Sequence, residues 1–383
     1  MIYLGVHLNA NQLSTQLQSV LAGIYLQSYH PVLRLVEENR DVFFSFNLTK
    51  ALGDRLPREF LDRLSVLVRD QRMEPLNTAS DHYLLPLFPP WVIQRQLARN
   101  RQFYREELGI NDPIPGIYLP ELAYVPSFPS LFSSLGYQWC LADDGPRVMQ
   151  KSHIPADHRV PLDEVLTFDG CGVLLRSRKW SNHISWGDYQ DGSSFAKNLL
   201  KDHREWKARC ADFGDSYLIL ALDWETFGHH HPDAIARFLI PFFGEIASQS
   251  NVAKIAQLDF IFNHFRQNTI ETPLPAGSWS TEDLKSPFPL WNNPSNPFHC
   301  DWNEFKDTVF EIAPDNPEAE LEELLQNAFY SCSPWWATKE SPKNRTVAGW
   351  CLLRFRRIID LLPTHEKKSR LKELHEKMQE FVA

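Results

Sequence analysis

Apolar positions fall into two kinds of run along this chain. Short, unbroken stretches rich in β-branched and aromatic residues occur at 2–7, 42–47, 114–119, 137–142 and 217–222. Such runs predict buried strands. Between them, apolar residues recur at helical spacing over 12–38, 58–70, 91–108 and 234–248, which predicts amphipathic helices. Strand and helix in turn predict an α/β fold on a parallel sheet, either a barrel or a doubly wound sheet. No G-x-G-x-x-G follows the first strand and no P-loop lysine motif is present. Nucleotide binding is therefore disfavoured.

From about 268 to 301 the pattern breaks. Pro, Ser and Asn dominate there, with Trp279 and Trp291 embedded, and loops this long are usually functional or linking. Helical periodicity returns over 318–330, 347–362 and 367–381. The expected organisation is a catalytic α/β domain over 1–270 and a helical C-terminal domain over 271–383. A chain of 383 residues accommodates a barrel of roughly 250 plus an appended domain.

Composition narrows the function. Hydrophobic residues at 43% and charged residues at 23% suit a globular enzyme with a large core. A net charge of −9, from 39 basic and 48 acidic side chains, opposes nucleic-acid binding, which needs clustered positive charge. Arg354, Arg356 and Arg357 form the only compact basic cluster and read as a solvated helix face. The cysteines (Cys140, Cys171, Cys210, Cys300, Cys332 and Cys351) are scattered without a C-x-x-C pair, so neither a zinc ribbon nor a dense disulfide framework is expected. The first residues lack a signal-peptide layout, and no apolar run reaches the ~20 residues that span a bilayer. The cytoplasm is the expected address, without a membrane partner. The 12 Trp offer flat apolar faces suited to the C–H faces of sugars.

Two apolar runs end in an acid. Residues 115–120 deliver Glu121, and 217–222 deliver Asp223, followed at once by Trp224 and Glu225. In parallel barrels the chemistry sits at the C-terminal ends of strands. A carboxylate there must be paired, hydrogen-bonded or protonated. Two such acids suit glycoside hydrolysis, one attacking the anomeric carbon and the other, with a raised pKa, protonating the leaving oxygen. Helix capping or pairing with an arginine is the competing structural role.

Motifs in order along the chain resemble glycoside hydrolase family 57. The first strand ends Val6-His7-Leu8-Asn9, where the family carries His-Gln-Pro. Glu74 precedes His82 by eight residues, in the segment Asp81-His82-Tyr83-Leu84-Leu85-Pro86-Leu87. Gly116-Ile117-Tyr118-Leu119-Pro120-Glu121 is similar to the family's Gly-x-Trp-x-x-Glu, whose Glu is the nucleophile. Asp223-Trp224-Glu225-Thr226-Phe227-Gly228-His229 resembles the segment whose first Asp is the acid/base, and Ser331-Cys332-Ser333-Pro334-Trp335-Trp336 resembles the aromatic fifth region. Arg176, Arg178, Ser181 and Asn182 match a stretch between the two acids. The resemblance implies an incomplete (β/α)7 barrel, α-retaining chemistry on an α-glucan or maltooligosaccharide, no cofactor or metal, and a helical domain closing part of the cleft. Departures stand at Gly5, where relatives often have His, at Leu8 and Asn9, at Tyr118, and at Cys332 or Ser333, which takes the place of an Asp.

Further roles follow. His7 and His82 are candidates to donate to sugar hydroxyls, Glu74 to orient His7 or bind a hydroxyl, and Arg176 to hold Glu121 ionised. On an extended strand Glu225 faces the same side as Asp223, and its charge would then raise the pKa of Asp223. Tyr118 and His229 complete the expected subsite. Trp224, Trp291, Trp335 and Trp336 are candidate stacking platforms. Each of these residues also has an ordinary structural reading. His229-His230-His231 admits a metal reading, but adjacent histidines converge poorly on one ion. Two alternatives stay open: a glucan-binding protein of impaired turnover on the same scaffold, and a metal-dependent polysaccharide deacetylase.

Overall fold

The first apolar run becomes the longest strand, and its neighbours in space are other runs of the same kind. The computed structural model describes residues 1–151, 165–209, 214–270, 273–314, 316–338 and 341–383; Cys210 lies outside them. In chain order the strands are β1 (Ile2–Ala10), β2 (Phe44–Leu48), β3 (Met73–Pro75), β4 (Gly116–Tyr118), β5 (Trp139–Asp143), β6 (Val165–Phe168), β7 (Cys171–Arg176), β8 (Ser216–Asp223), β9 (Ala253–Ile255) and β10 (Thr269–Ile270). Seven of them close a parallel ring. β8 pairs β1, β1 pairs β2, and β2 pairs β3. A single bridge, Asn77 to Ile117, joins the end of β3 to β4. β4 then pairs β5, β5 pairs β7, and the one pair Arg176 to Ile219 returns to β8. This is the (β/α)7 barrel, one strand short of the eight-stranded form.

Alternation along each strand sorts the residues. Leu4, Val6 and Leu8 of β1, Phe44 and Phe46 of β2, and Leu218, Leu220 and Leu222 of β8 point outward into one apolar cluster with the surrounding helices. Inside the ring, Tyr118, Trp139, Leu141, Leu174, Ile219 and Ala221 pack on Leu258, Ile261 and Phe262 of the helix Leu258–Phe265, which plugs the interior. Gly5 faces that plug. A Cβ there would stand 2.3 Å from a methyl of Leu258, so the plug leaves no space for a side chain at this position. At the other end of the ring the inward positions turn polar: His7, Asn9, Asn47, Asp143, Arg176 and Asp223.

The helices beyond residue 271 share their core with the barrel. Ile117, Cys140 and Val173 lie in one cluster with Trp302, Phe305, Phe355 and Leu371. The helical run expected from residue 12 begins only at Gln18; Asn11, Gln12, Leu13, Gln16 and Leu17 before it line a cavity instead. Within the Pro-rich stretch, Asn296 caps a helix, Pro297–Ile312, that periodicity alone did not separate from the loop. No helix among the described residues is long and apolar enough to cross a membrane.

Candidate active site

Asp223 ends β8 and lies in register with Asn9 of β1. A directed chain of hydrogen bonds reaches it through the barrel interior. His7 Nε2 donates to Asn47 Oδ1 (2.8 Å), Asn47 Nδ2 to Asn9 Oδ1 (2.9 Å), and Asn9 Nδ2 to Asp223 Oδ1 (2.8 Å). Burial keeps His7 neutral, its pKa lowered to about 3. Its Nδ1 is buried without a hydrogen-bond partner among the described residues, consistent with the Nε2–H tautomer this relay requires. Burial raises the pKa of Asp223, the bond from Asn9 opposes that rise, and the charge of Glu121 adds to it.

Glu121 sits just past β4 on a strained turn. Its φ is 60° and that of Leu122 is 49°, left-handed values that cost a non-glycine residue about 1–3 kcal/mol and cluster at functional sites. Surrounding contacts hold the turn. Leu122 N donates to Leu119 O (2.7 Å) and Trp279 N donates to Glu121 O (3.2 Å). Ser331 Oγ donates to Glu121 Oε1 (2.9 Å), and His82 Nε2 lies 3.4 Å from the same oxygen. His82 itself has φ 53°, and its carbonyl accepts from Ser331 N (3.1 Å). The C-terminal region therefore reaches the carboxylate directly.

Both acids face one cavity of about 740 Å³, whose wall includes His82, Glu225, His229, Trp279, Cys332, Trp335, Trp336 and Trp350. A second cavity of about 780 Å³ lies beyond it, and Asp223 and Trp279 border both. Trp335 and Trp336 meet edge to face at 4.7 Å. Glu225 is buried behind Asp223. Its Oε1 accepts from Gln12 Nε2 (2.7 Å) and from the Tyr29 hydroxyl. Burial first, then the charge of Asp223, pushes its pKa up to about 8.

Several expected roles change with this geometry. Trp224 is not a platform: it is 1% exposed and packs among Tyr29, Phe46 and Phe60. Trp291 is likewise core, fully buried with Leu84, Ala123 and Phe288. Glu74 touches neither His7 nor the cavity. Its carboxylate accepts from Ser45 Oγ and from the backbone N–H groups of Leu258 (2.7 Å) and Asp259 (2.8 Å), so it caps the plugging helix. Arg176 pairs with Asp143 (2.7 Å) and Asn182 (2.8 Å), and its charge acts on Asp223. Strand geometry ends at Asp223, and 224–226 form a tight 3-10 turn. Glu225 therefore does not continue the strand face, and the like-charge repulsion expected to raise Asp223 acts instead to raise Glu225. His7 and Tyr118 stack on each other (4.8 Å) beneath the cavity, not on its wall. His229 lines the wall and pairs with Gln27 (2.7 Å), while His231 turns away to the carbonyl of Ser185 (2.9 Å). Asn47, Trp186 and Trp350 were not expected at the site; Asn9 and Ser331 stood in the matched motifs and Trp279 in the Trp-bearing loop, without individual roles. Only alternation within the first two strands could have flagged the asparagines.

The sequence profile of the family described as Glycosyl hydrolase family 57 matches residues 3–273. No curated protein matches the chain in sequence. Among solved structures, 4-alpha-glucanotransferase from Thermococcus litoralis superimposes with a TM-score of 0.71 at 15% identity over 95% of this chain, which spans 60% of that one. The GH57-type branching enzyme from Pyrococcus horikoshii gives 0.72 at 14% identity, covering 100% of this chain and 97% of that one. The alpha-amylase AmyC from Thermotoga maritima gives 0.71 at 12% identity, covering 99% and 98%. At these identities the likeness is one of fold.

Proposed function

The chain belongs to glycosyl hydrolase family 57, and from that premise we propose a retaining glycoside hydrolase or glucanotransferase acting on α-glucans, with Glu121 as nucleophile and Asp223 as general acid/base. One observation carries the reading: the two carboxyls share a cavity, and the charge of one raises the proton affinity of the other. Asp223 gives its proton to the glycosidic oxygen as Glu121 attacks the anomeric carbon, breaking the bond to the leaving sugar. Esterification then removes the negative charge of Glu121. The pKa of Asp223 falls with it, suiting the carboxylate to take a proton from the incoming water or sugar hydroxyl. That oxygen bonds to the anomeric carbon as the ester bond breaks and its electron pair returns to Glu121.

An α-glucan substrate is supported by the indole faces on the cavity wall and by the named activities of the three structures of like fold. Incubation with 5-fluoro-α-glucosyl fluoride is expected to add one glycosyl group to the peptide containing Glu121, read by mass spectrometry. Asp223→Asn is expected to lower kcat by roughly 10²–10⁴. Turnover with the label on a different residue would falsify the assignment of Glu121. Glucan binding without label or turnover would instead favour a binding protein on this scaffold.

A further inference from the structure

The two cavities do not share their carboxyls equally. Glu121 borders the first and not the second, whereas Asp223 borders both. Resting on the proposed reaction, this asymmetry orients the substrate. The nucleophile must reach the anomeric carbon of the sugar being transferred, and the acid/base must reach the oxygen between that sugar and the next. The transferred residues therefore occupy the first cavity, and the chain on the other side of the bond occupies the second.

We propose that the second cavity is the acceptor subsite, holding the departing sugar and then the incoming sugar hydroxyl of an α-glucan, with Trp186 as its stacking platform. Trp186 is 74% exposed and lies on this wall. An indole left that open has no packing role to account for it, while its flat face suits a glucosyl ring. Glu282 and Asp283 stand on the same wall as acceptors for sugar hydroxyls. The wall is fixed from behind: Arg178 donates to the carbonyls of Ser278 (2.9 Å) and Thr281 (2.6 Å) and to Asp143 (2.6 Å). Arg176 lies over the Trp279 ring at 5.7 Å, which steadies the partition between the cavities. The loop that carries Trp279 and leads to Glu282 and Asp283 is therefore held in place opposite Trp186.

The test compares two donors. Maltoheptaose needs a leaving sugar in the second cavity; α-maltosyl fluoride does not. In Trp186→Ala, the ratio of kcat/KM on maltoheptaose to kcat/KM for fluoride release is expected to fall roughly tenfold, the upper range of one lost aromatic contact. Trp186→Tyr is expected to restore most of it. A ratio is insensitive to the fraction of folded enzyme. An unchanged ratio with fluoride release intact overturns the acceptor assignment alone. Absence of fluoride release from the unaltered protein removes the glycosidase reading, and the acceptor site with it.

Discussion

Asp223 owes its proton affinity to opposing contacts. Burial and the neighbouring Glu121 raise it, and the amide of Asn9 lowers it by donating to the charged form. A hydrogen bond to an ionised carboxyl is worth about 1.5–3 kcal/mol, and one pKa unit corresponds to about 1.4 kcal/mol. Asn9→Ala removes that donor, so the pKa of Asp223 must rise and the acid stay protonated to higher pH. The basic limb of the kcat/KM profile is therefore expected to move upward by about one unit. A limb that stays in place, or moves down, would show that Asn9 does not tune the acid. The sequence made Asp223 and Glu121 visible because an acid directly after an apolar run is conspicuous. Asn9 stood in the first motif, but its hold on Asp223 was hidden because it depends on register with a strand more than two hundred residues away, and a single sequence carries no register.

Among the elements, β1, β2, β4, β5 and β8 were legible because burial leaves an unbroken apolar run, whereas β7, six residues long and part of the ring, was not read as a strand. β3, β9 and β10, of two or three residues, are too short for any periodicity, although β3 helps to close the barrel. The helix Leu258–Phe265 was missed for a related reason, since eight residues hold barely two turns. Its placement explains Glu74, which the sequence assigned to the substrate. Two buried N–H groups at its first turn are satisfied by that one carboxylate. Glu74→Ala leaves both unpaired, at about 1–3 kcal/mol each. A stability loss of about 2–4 kcal/mol is expected in denaturant unfolding, with kcat/KM of the folded enzyme nearly unchanged. Loss of activity without loss of stability would return Glu74 to the substrate site.

The molecule as a whole carries an unusual set of buried carboxyls. Burial pushes Glu225 to about 8, Glu74 and Asp144 to about 7, and Asp81 to about 6. Each binds its proton more tightly folded than unfolded, so each contributes stability that is present below its ordinary value and lost as pH rises through the raised one. His7, lowered to about 3 from 6.5, acts in the opposite sense. Its unfolded form takes a proton as pH falls below about 6.5, which costs stability on the acid side. The depressed acids, such as Glu373 and Glu320, are exposed and paired across solvent, where screening leaves them little weight. Between pH 4 and 6.5 the buried acids and His7 therefore oppose one another. Above about 6.5 only the acids titrate, and stability must decline. Calorimetry is expected to show Tm falling between pH 6.5 and 8.5. Glu225→Gln should flatten that fall, because it removes the group that titrates last. A Tm that rises between pH 6.5 and 8.5 would mean that these carboxyls are already ionised in the folded protein, and would take the proposed proton on Glu225 away.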